Sequence, residues 1–257
     1  MHLLDFPFPV FVVSFGSLWM ATLGGVYFRK RFRSIDKEER EDFSIVLTAT
    51  LTLLGLIIGF TFSMAVSRYD LRKHYEEEEA NSIGTEYLRA DLLPAADTPK
   101  IRGLLMEYLQ LRLVFYTLSG YAHGSARRLD EIGVRTTQLQ YKMWSMLQSS
   151  SAAQGTATIA LAAAGMNDVV NSQGYAQGAW RNRVPRAAWI LMGTIAIFCN
   201  LLMGFGAVHV RPVLLPVLPI ILSVAFFLIA DIDSPRNGVI RVHPENLLSL
   251  SASLNAH

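Results

Sequence analysis

The chain has 257 residues, 51% of them hydrophobic and only 17% charged, with a mean hydropathy of +0.30, whereas soluble domains carry nearer about 25% charge; an ordinary water-soluble globule is excluded. Its 23 Lys and Arg against 21 Asp and Glu leave a formal net charge of +2, too even for a nucleic-acid footprint spread over a domain. The single cysteine, Cys199, excludes intrachain disulfide scaffolds and thiolate metal modules, and no P-loop, G-x-G-x-x-G, H-E-x-x-H or G-x-S-x-G run marks a common catalytic or cofactor site.

The apolar excess falls in four blocks, and a bilayer core about 30 Å thick asks for roughly 20 residues of helix. Phe8 to Phe28 meets that test without a charge. Nothing basic precedes it, and Arg29, Lys30, Arg31 and Arg33 stop it, which reads as an anchor rather than a cleaved leader. Phe43 to Val66 is the second block. Its helical pattern runs on through Ser67 and Asp70 to Leu92, before Pro94, so one helix of about 50 residues, or about 75 Å at 1.5 Å per residue, projects out of the membrane.

Residues 67–186 hold 14 Lys and Arg and 12 Asp and Glu, a water-exposed composition without persistent period-2 alternation. A helix is expected to start at Asp97-Thr98-Pro99, a capping side chain before a proline in the first turn. Its buried face is Leu104, Leu105, Tyr108, Leu109, Leu111, Leu113 and Phe115, with Gly120 and Gly124 ending it. Helices over 126–150 and 156–175, joined by a Gln154-Gly155 turn, complete a bundle. Ala187 to Val208 and Val213 to Ala230 are the third and fourth blocks. The latter bears Pro216 and Pro219 near its start, and the connection His209 to Pro212 is short enough to force an antiparallel hairpin. The expected fold is all-α: a polytopic membrane protein with a first helix pair in 1–66, a helical extramembrane domain over 67–186, a second pair in 187–230 and a tail over 231–257.

At 100° per residue, Thr48, Thr52, Gly55, Gly59, Phe62, Ser63 and Val66 share one face of the second block. Gly55-x-x-x-Gly59 is a membrane helix-packing motif; the same face would also serve as a pore wall, with Phe62 and Val66 as an apolar collar that gates by dewetting. Both readings hold if identical helices ring an axis. The face continues through Lys73, Glu77, Ala80 and Gly84, and Lys73 with Glu77 would set both signs of charge at a pore mouth. Ser17, Ala21 and Gly25 in the first block, and Gly193, Ala196, Asn200, Gly204 and Ala207 in the third, form further small-residue faces for helix packing, Asn200 being placed for an interhelical hydrogen bond. Three such faces exceed what one four-helix unit needs, so a homo-oligomer is expected. Glu76 to Glu79 splay around a helix and cannot all converge on a cation; they are read as a solvated face salt-bridged with Arg72 and Lys73. His74, His123 and His209 lack ligand partners at convincing spacing, and no metal or cofactor is expected. Asp231 and Asp233 are read as fixing a turn by Asx-type bonds.

Several of these stretches resemble one family. Leu54-Gly55-Leu56-Ile57-Ile58-Gly59-Phe60-Thr61-Phe62-Ser63, Ser67-Arg68-Tyr69-Asp70, Glu78-Glu79-Ala80-Asn81-Ser82-Ile83-Gly84-Thr85 and Tyr87-Leu88-Arg89-Ala90-Asp91-Leu92-Leu93-Pro94 are similar to the bacterial bestrophin-like membrane proteins of the DUF4239 family, as is Asp231-Ile232-Asp233-Ser234-Pro235-Arg236-Asn237-Gly238-Val239-Ile240, its D-x-D-x-P-x-x-G-x-I pattern. The resemblance covers most of the chain. It implies the fold of bestrophins, pentameric anion channels whose second membrane helix lines an apolar neck. Unlike the calcium-gated animal bestrophins, this chain has no dense acidic run after the fourth block, so no calcium clasp is implied. Positive-inside counting is nearly balanced, seven Lys and Arg against eight; the resemblance places the large domain in the cytoplasm of a bacterial inner membrane. The functional classes that follow are an ion channel or, alternatively, a non-conducting membrane scaffold or signalling protein. Beyond Asn200 the spans hold little polar material for an intramembrane enzyme.

Overall fold

The computed structural model describes residues 3–31, 37–122, 124–153, 157–207 and 212–256. Among these the ordered elements are all helical: α1 (Pro7–Arg31), α2 (Lys37–Arg89), α3 (Thr98–Thr117), α4 (Ser125–Ala153), α5 (Ala157–Arg181), α6 (Arg186–Gly206), α7 (Val217–Asp233) and α8 (Glu245–Asn255). Single 3-10 turns lie at Leu3–Asp5, Ala90–Leu92 and Pro212–Leu214. The chain divides into two units, one of Met1–Arg68 with Arg183–Arg241 and one of Tyr69–Asn182 with Val242–His257. Helix α2 passes from the first into the second.

In the first unit, α1 makes the main contacts with both α6 and α7. Pro7 opens α1, where its missing N–H costs nothing, and Arg29, Lys30 and Arg31 occupy the last turn, where cations meet the negative end of the helix dipole. Arg29 also donates to the Ala207 carbonyl. Glycine sets the α1/α6 approach. A Cβ on Gly25 would strike the Leu201 carbonyl and lie 2.7 Å from the Phe205 nitrogen, and one on Gly204 would strike the Thr22 carbonyl. Beside this seam the Thr22 hydroxyl donates to Asn200 Oδ1 at 3.3 Å, while Asn200 Nδ2 donates to the Ala196 carbonyl at 2.8 Å. Among the described residues three helical stretches are long and apolar enough to cross a membrane, Pro7–Arg31, Asp42–Leu92 and Ala157–Gly206; in the second the longest apolar run precedes Ser67, and in the third it follows Arg186. α7 has 17 residues and begins at Val217, after Pro216, rather than at Val213. Pro219 sits in its first turn, where helix N–H groups have no intrahelical partner to lose.

The second unit has its own core. On α4, Ile132, Thr136, Leu139, Met143 and Leu147 are buried at spacings of four and three, one stripe of a helix. The four apolar ones meet Ile101, Leu105, Tyr108, Leu109, Leu113, Phe115 and Tyr116 of α3 and Ile159, Ala162, Met166 and Val169 of α5. The expected α3 face is thus largely the buried one, with Leu104 and Leu111 at its margin. The start of α3 differs in its cap: Asp97 makes no capping bond and pairs with Lys100 at 3.3 Å, and the Thr98 hydroxyl instead donates to the Ala90 carbonyl at 3.0 Å. Gly124, at φ +73°, supplies the left-handed turn into α4. Residues 245–255, expected as tail, form α8 against α3, with Leu247 fully buried and Gln110 donating to the Ser251 hydroxyl at 2.9 Å. His123, the Gln154-Gly155 turn and His209 lie outside the described residues.

Candidate pore face and its polar surroundings

Within the first unit, the buried positions of α2 among the described side chains are Leu54, Thr61 and Ala65, seven and four residues apart and therefore one stripe. The candidate pore residues lie away from it. Thr48, Thr52, Gly55, Gly59, Phe62 and Ser63 are exposed within the chain, and Val66 is half-buried. A Cβ at Gly55 or Gly59 would meet nothing within 4 Å, so among the described residues no helix uses the Gly55-x-x-x-Gly59 groove. The Thr52 hydroxyl donates to the Thr48 carbonyl at 2.9 Å; with its proton committed to the backbone, the oxygen turns lone pairs outward. Phe62 keeps 40% of its surface exposed. Lys73 and Glu77, on the same helix in the second unit, are exposed as well.

Of the residues expected to pack helices, Gly25, Gly204 and Asn200 meet at the α1/α6 seam, with Ala21 half-buried and Ala196 buried. Ser17 and Gly193 do not join it. Ser17 is exposed, its hydroxyl turned to the Val13 carbonyl at 2.8 Å, and Gly193 faces open space.

The carboxylate run of the second unit corrects the expected solvated face. Glu76 and Glu79, three apart and so on one side of α2, are buried, as is Arg72. Glu79 pairs not with Arg72 or Lys73 but with Arg112 of α3, through Nε and through Nη2 at 3.3 Å, and accepts the Tyr116 hydroxyl at 3.0 Å. The guanidinium lies 4.3 Å from the Phe115 ring centre, a cation–π contact. Burial and the Glu79 charge together push the Tyr108 and Tyr116 phenols upward from their usual value; burial pulls Arg112 down, and the Glu79 charge, the Glu79 hydrogen bond and the two tyrosines together more than offset it. Glu76 accepts the Leu247 N–H at 3.0 Å and the Asn246 side-chain amide at 2.7 Å, satisfying the start of α8 from another helix, and burial nonetheless leaves its carboxyl raised. Arg72 donates to the Ala179 and Asn182 carbonyls, both at 3.3 Å, closing the end of α5. Glu78 stays at the surface beside His74, 3.4 Å away.

In the last turn of α7, Asp231 accepts the N–H groups of Val239 at 2.7 Å and Ile240 at 2.9 Å, and Asp233 accepts that of Val184 at 3.1 Å. Arg183 joins them: it donates to the Asp233 carbonyl at 2.6 Å and pairs with Asp5 at 2.6 Å. The Ser234 hydroxyl and the Asn237 amide both donate to the Asp5 carbonyl, at 2.9 and 3.0 Å. Gly238 is required because a Cβ there would strike the Asp231 carbonyl. The carboxylates of this motif bind backbone and guanidinium, and among the described residues no three His, Cys, Asp or Glu side chains converge as a metal site. Nothing in the spacing of Asp5 or Arg183 announces this cluster, since its partners are separated by up to 232 residues.

A family model described as a bestrophin-like domain matches residues 16–247. Comparison with the curated proteins finds no match. Among solved structures, the chain is similar to a bacterial bestrophin homologue from Klebsiella pneumoniae: a single-substitution variant is 14% identical with a TM-score of 0.64, covering 94% of this chain and 98% of that one. A second variant is 13% identical with a TM-score of 0.64 over 97% and 98%, and a further structure of the homologue is 14% identical with a TM-score of 0.62 over 95% and 97%. At this identity the likeness is one of fold.

Proposed function

The chain belongs to the bestrophin-like family, and from that premise we propose that it is an oligomeric ion channel whose pore is lined by α2. The observation that carries the reading is the α2 face itself: an apolar membrane-length helix keeps hydroxyls, two glycines and one phenylalanine on a side that no other described helix covers. A ring of such faces around an axis gives a wall of small residues, narrowed where Phe62 projects. Water leaves an apolar collar of that kind readily, and an ion crossing it sheds hydration without compensating ligands. The bestrophin resemblance supports five subunits and anions as the permeant species. It also supports α7 as a fourth span, its 17 residues being short of the roughly 20 a bilayer core asks for, and a bacterial inner membrane with the second unit in the cytoplasm. No catalytic role is assigned to any residue.

Bilayer recording of wild type beside Phe62→Ala is the test. The smaller side chain widens and wets the collar, so conductance or open probability rises, and Thr52→Ala changes conductance more mildly. A protein electrically silent across several anions and cations, in both wild type and variant, would favour the scaffold reading, in which the exposed groove by Tyr141 and Trp144 of α4 serves a partner. A reporter fused after His257 and active only in the periplasm would reverse the orientation. Light scattering in nanodiscs checks the oligomer, a monomer removing the pore.

A further inference from the structure

We propose that Glu86 is a proton-binding site that decides which carboxylate Arg89 serves, and thereby how firmly α2 is tied to α5. Glu86 is fully buried, and among the described residues neither of its side-chain oxygens has a hydrogen-bond partner. Its place beside α5 exists because residue 165 is glycine: a Cβ there would run into both the Glu86 carboxyl and the Arg89 guanidinium. A carboxylate in such a setting is far costlier than the neutral acid.

The charges that act on Glu86 are Arg89, one turn along on α2, and Asp168 from α5. Arg89 Nη1 stands 3.9 Å from Asp168 Oδ2. While Glu86 holds its proton, Arg89 has a single carboxylate to answer, and that pair bridges two helices. Once the proton leaves, a buried anion competes with an aspartate whose side chain is 65% exposed. Water solvates Asp168 and cannot solvate Glu86, so the guanidinium turns inward. The new pair is three residues apart on one helix; the interhelical one is gone. Arg89 and Asp168 both line a groove of about 540 Å³, which brings solvent to the pair. Burial pushes the Glu86 carboxyl up to about 8, Arg89 opposing and Asp168 assisting, so the exchange falls where modest alkalinisation would trigger it.

Hydrogen–deuterium exchange on the full-length protein in detergent reads the switch without requiring conduction, so its outcome is separate from that of the channel reading. Peptides of α5 from Ala162 to Ser172 are followed from about pH 6.5 to about pH 9, corrected for intrinsic exchange, the range being set by the raised carboxyl. Protection in wild type should fall about two- to fivefold, the factor a partly exposed ion pair is worth, with its midpoint near 8. Glu86→Gln, the neutral isostere, should hold the protected level throughout. Asp168→Asn should begin near the alkaline wild-type level and show a smaller step. A full-sized step surviving in Glu86→Gln, or no step in wild type, overturns the proposal. If Glu86→Gln fails to fold, a full-sized step in Asp168→Asn does the same.

Discussion

Gly25 and Gly204 at the α1/α6 seam, and Gly55 and Gly59 on α2, are small residues in apolar helices, yet the structure treats them oppositely. At the seam, backbone carbonyls of the neighbouring helix stand where a Cβ would go; at Gly55 and Gly59 the nearest 4 Å are empty. The motif licenses close approach in either place, but among the described residues only the first pair is used. The second faces open space. A small-residue pattern therefore reports capacity for contact, and the partner is decided by the rest of the fold.

Substitutions separate the two kinds of face, and a pair that the chain completes for itself sets the scale. Arg112→Leu strands Glu79 in the core; losing one partner of a buried ion pair costs about 3–5 kcal/mol, and thermal unfolding in detergent should show the largest fall of any variant considered. Gly204→Leu forces a side chain into the Thr22 backbone, and overpacking of this kind costs about 1–3 kcal/mol, read in the same melts. Glu86 gives a graded effect. Its carboxyl ionises at an ordinary 4.5 when unfolded and at about 8 when folded, so between those values the folded chain holds a proton the unfolded chain has lost. Stability must fall as pH rises through that window, by at most about 1.4 kcal/mol per pH unit, and level off above it; Glu86→Gln should remove the slope. Smallest is Gly59→Ala. With open space around it and a gain of helix propensity of roughly 0.5–1 kcal/mol, the variant should melt no lower than wild type, and a marked destabilisation would place a neighbour at that face, to be identified by light scattering of the oligomer.

Helices were legible wherever local rules decide them. The 53-residue α2, the proline near the start of α3 and the glycine after it follow from periodicity and backbone chemistry. What escaped the sequence was the pairing of polar groups. Four glutamates in a row look solvated on one helix, but two of them face a core supplied from elsewhere, with Arg112 33 residues on and Leu247 171 residues on. The same distance hid α8, since an eleven-residue helix is marginal alone and needs the start supplied by Glu76. The D-x-D-x-P-x-x-G-x-I pattern was visible as a turn, and Asp231 does hold the following backbone; that Arg183 and Asp5 complete the cluster was not, because neither lies near it in sequence.

That last cluster also sets a clock. Asp5 is bound by Ser234 and Asn237, 229 and 232 residues later, and α1 rests chiefly on α6 and α7. During synthesis at about 5–20 residues per second, roughly 10–40 s pass between the emergence of α1 and that of its partners. Throughout that interval the notch at Gly25 stands unfilled, because Leu201, Gly204 and Phe205, which close it, belong to α6; the first helix waits for a partner made long after it.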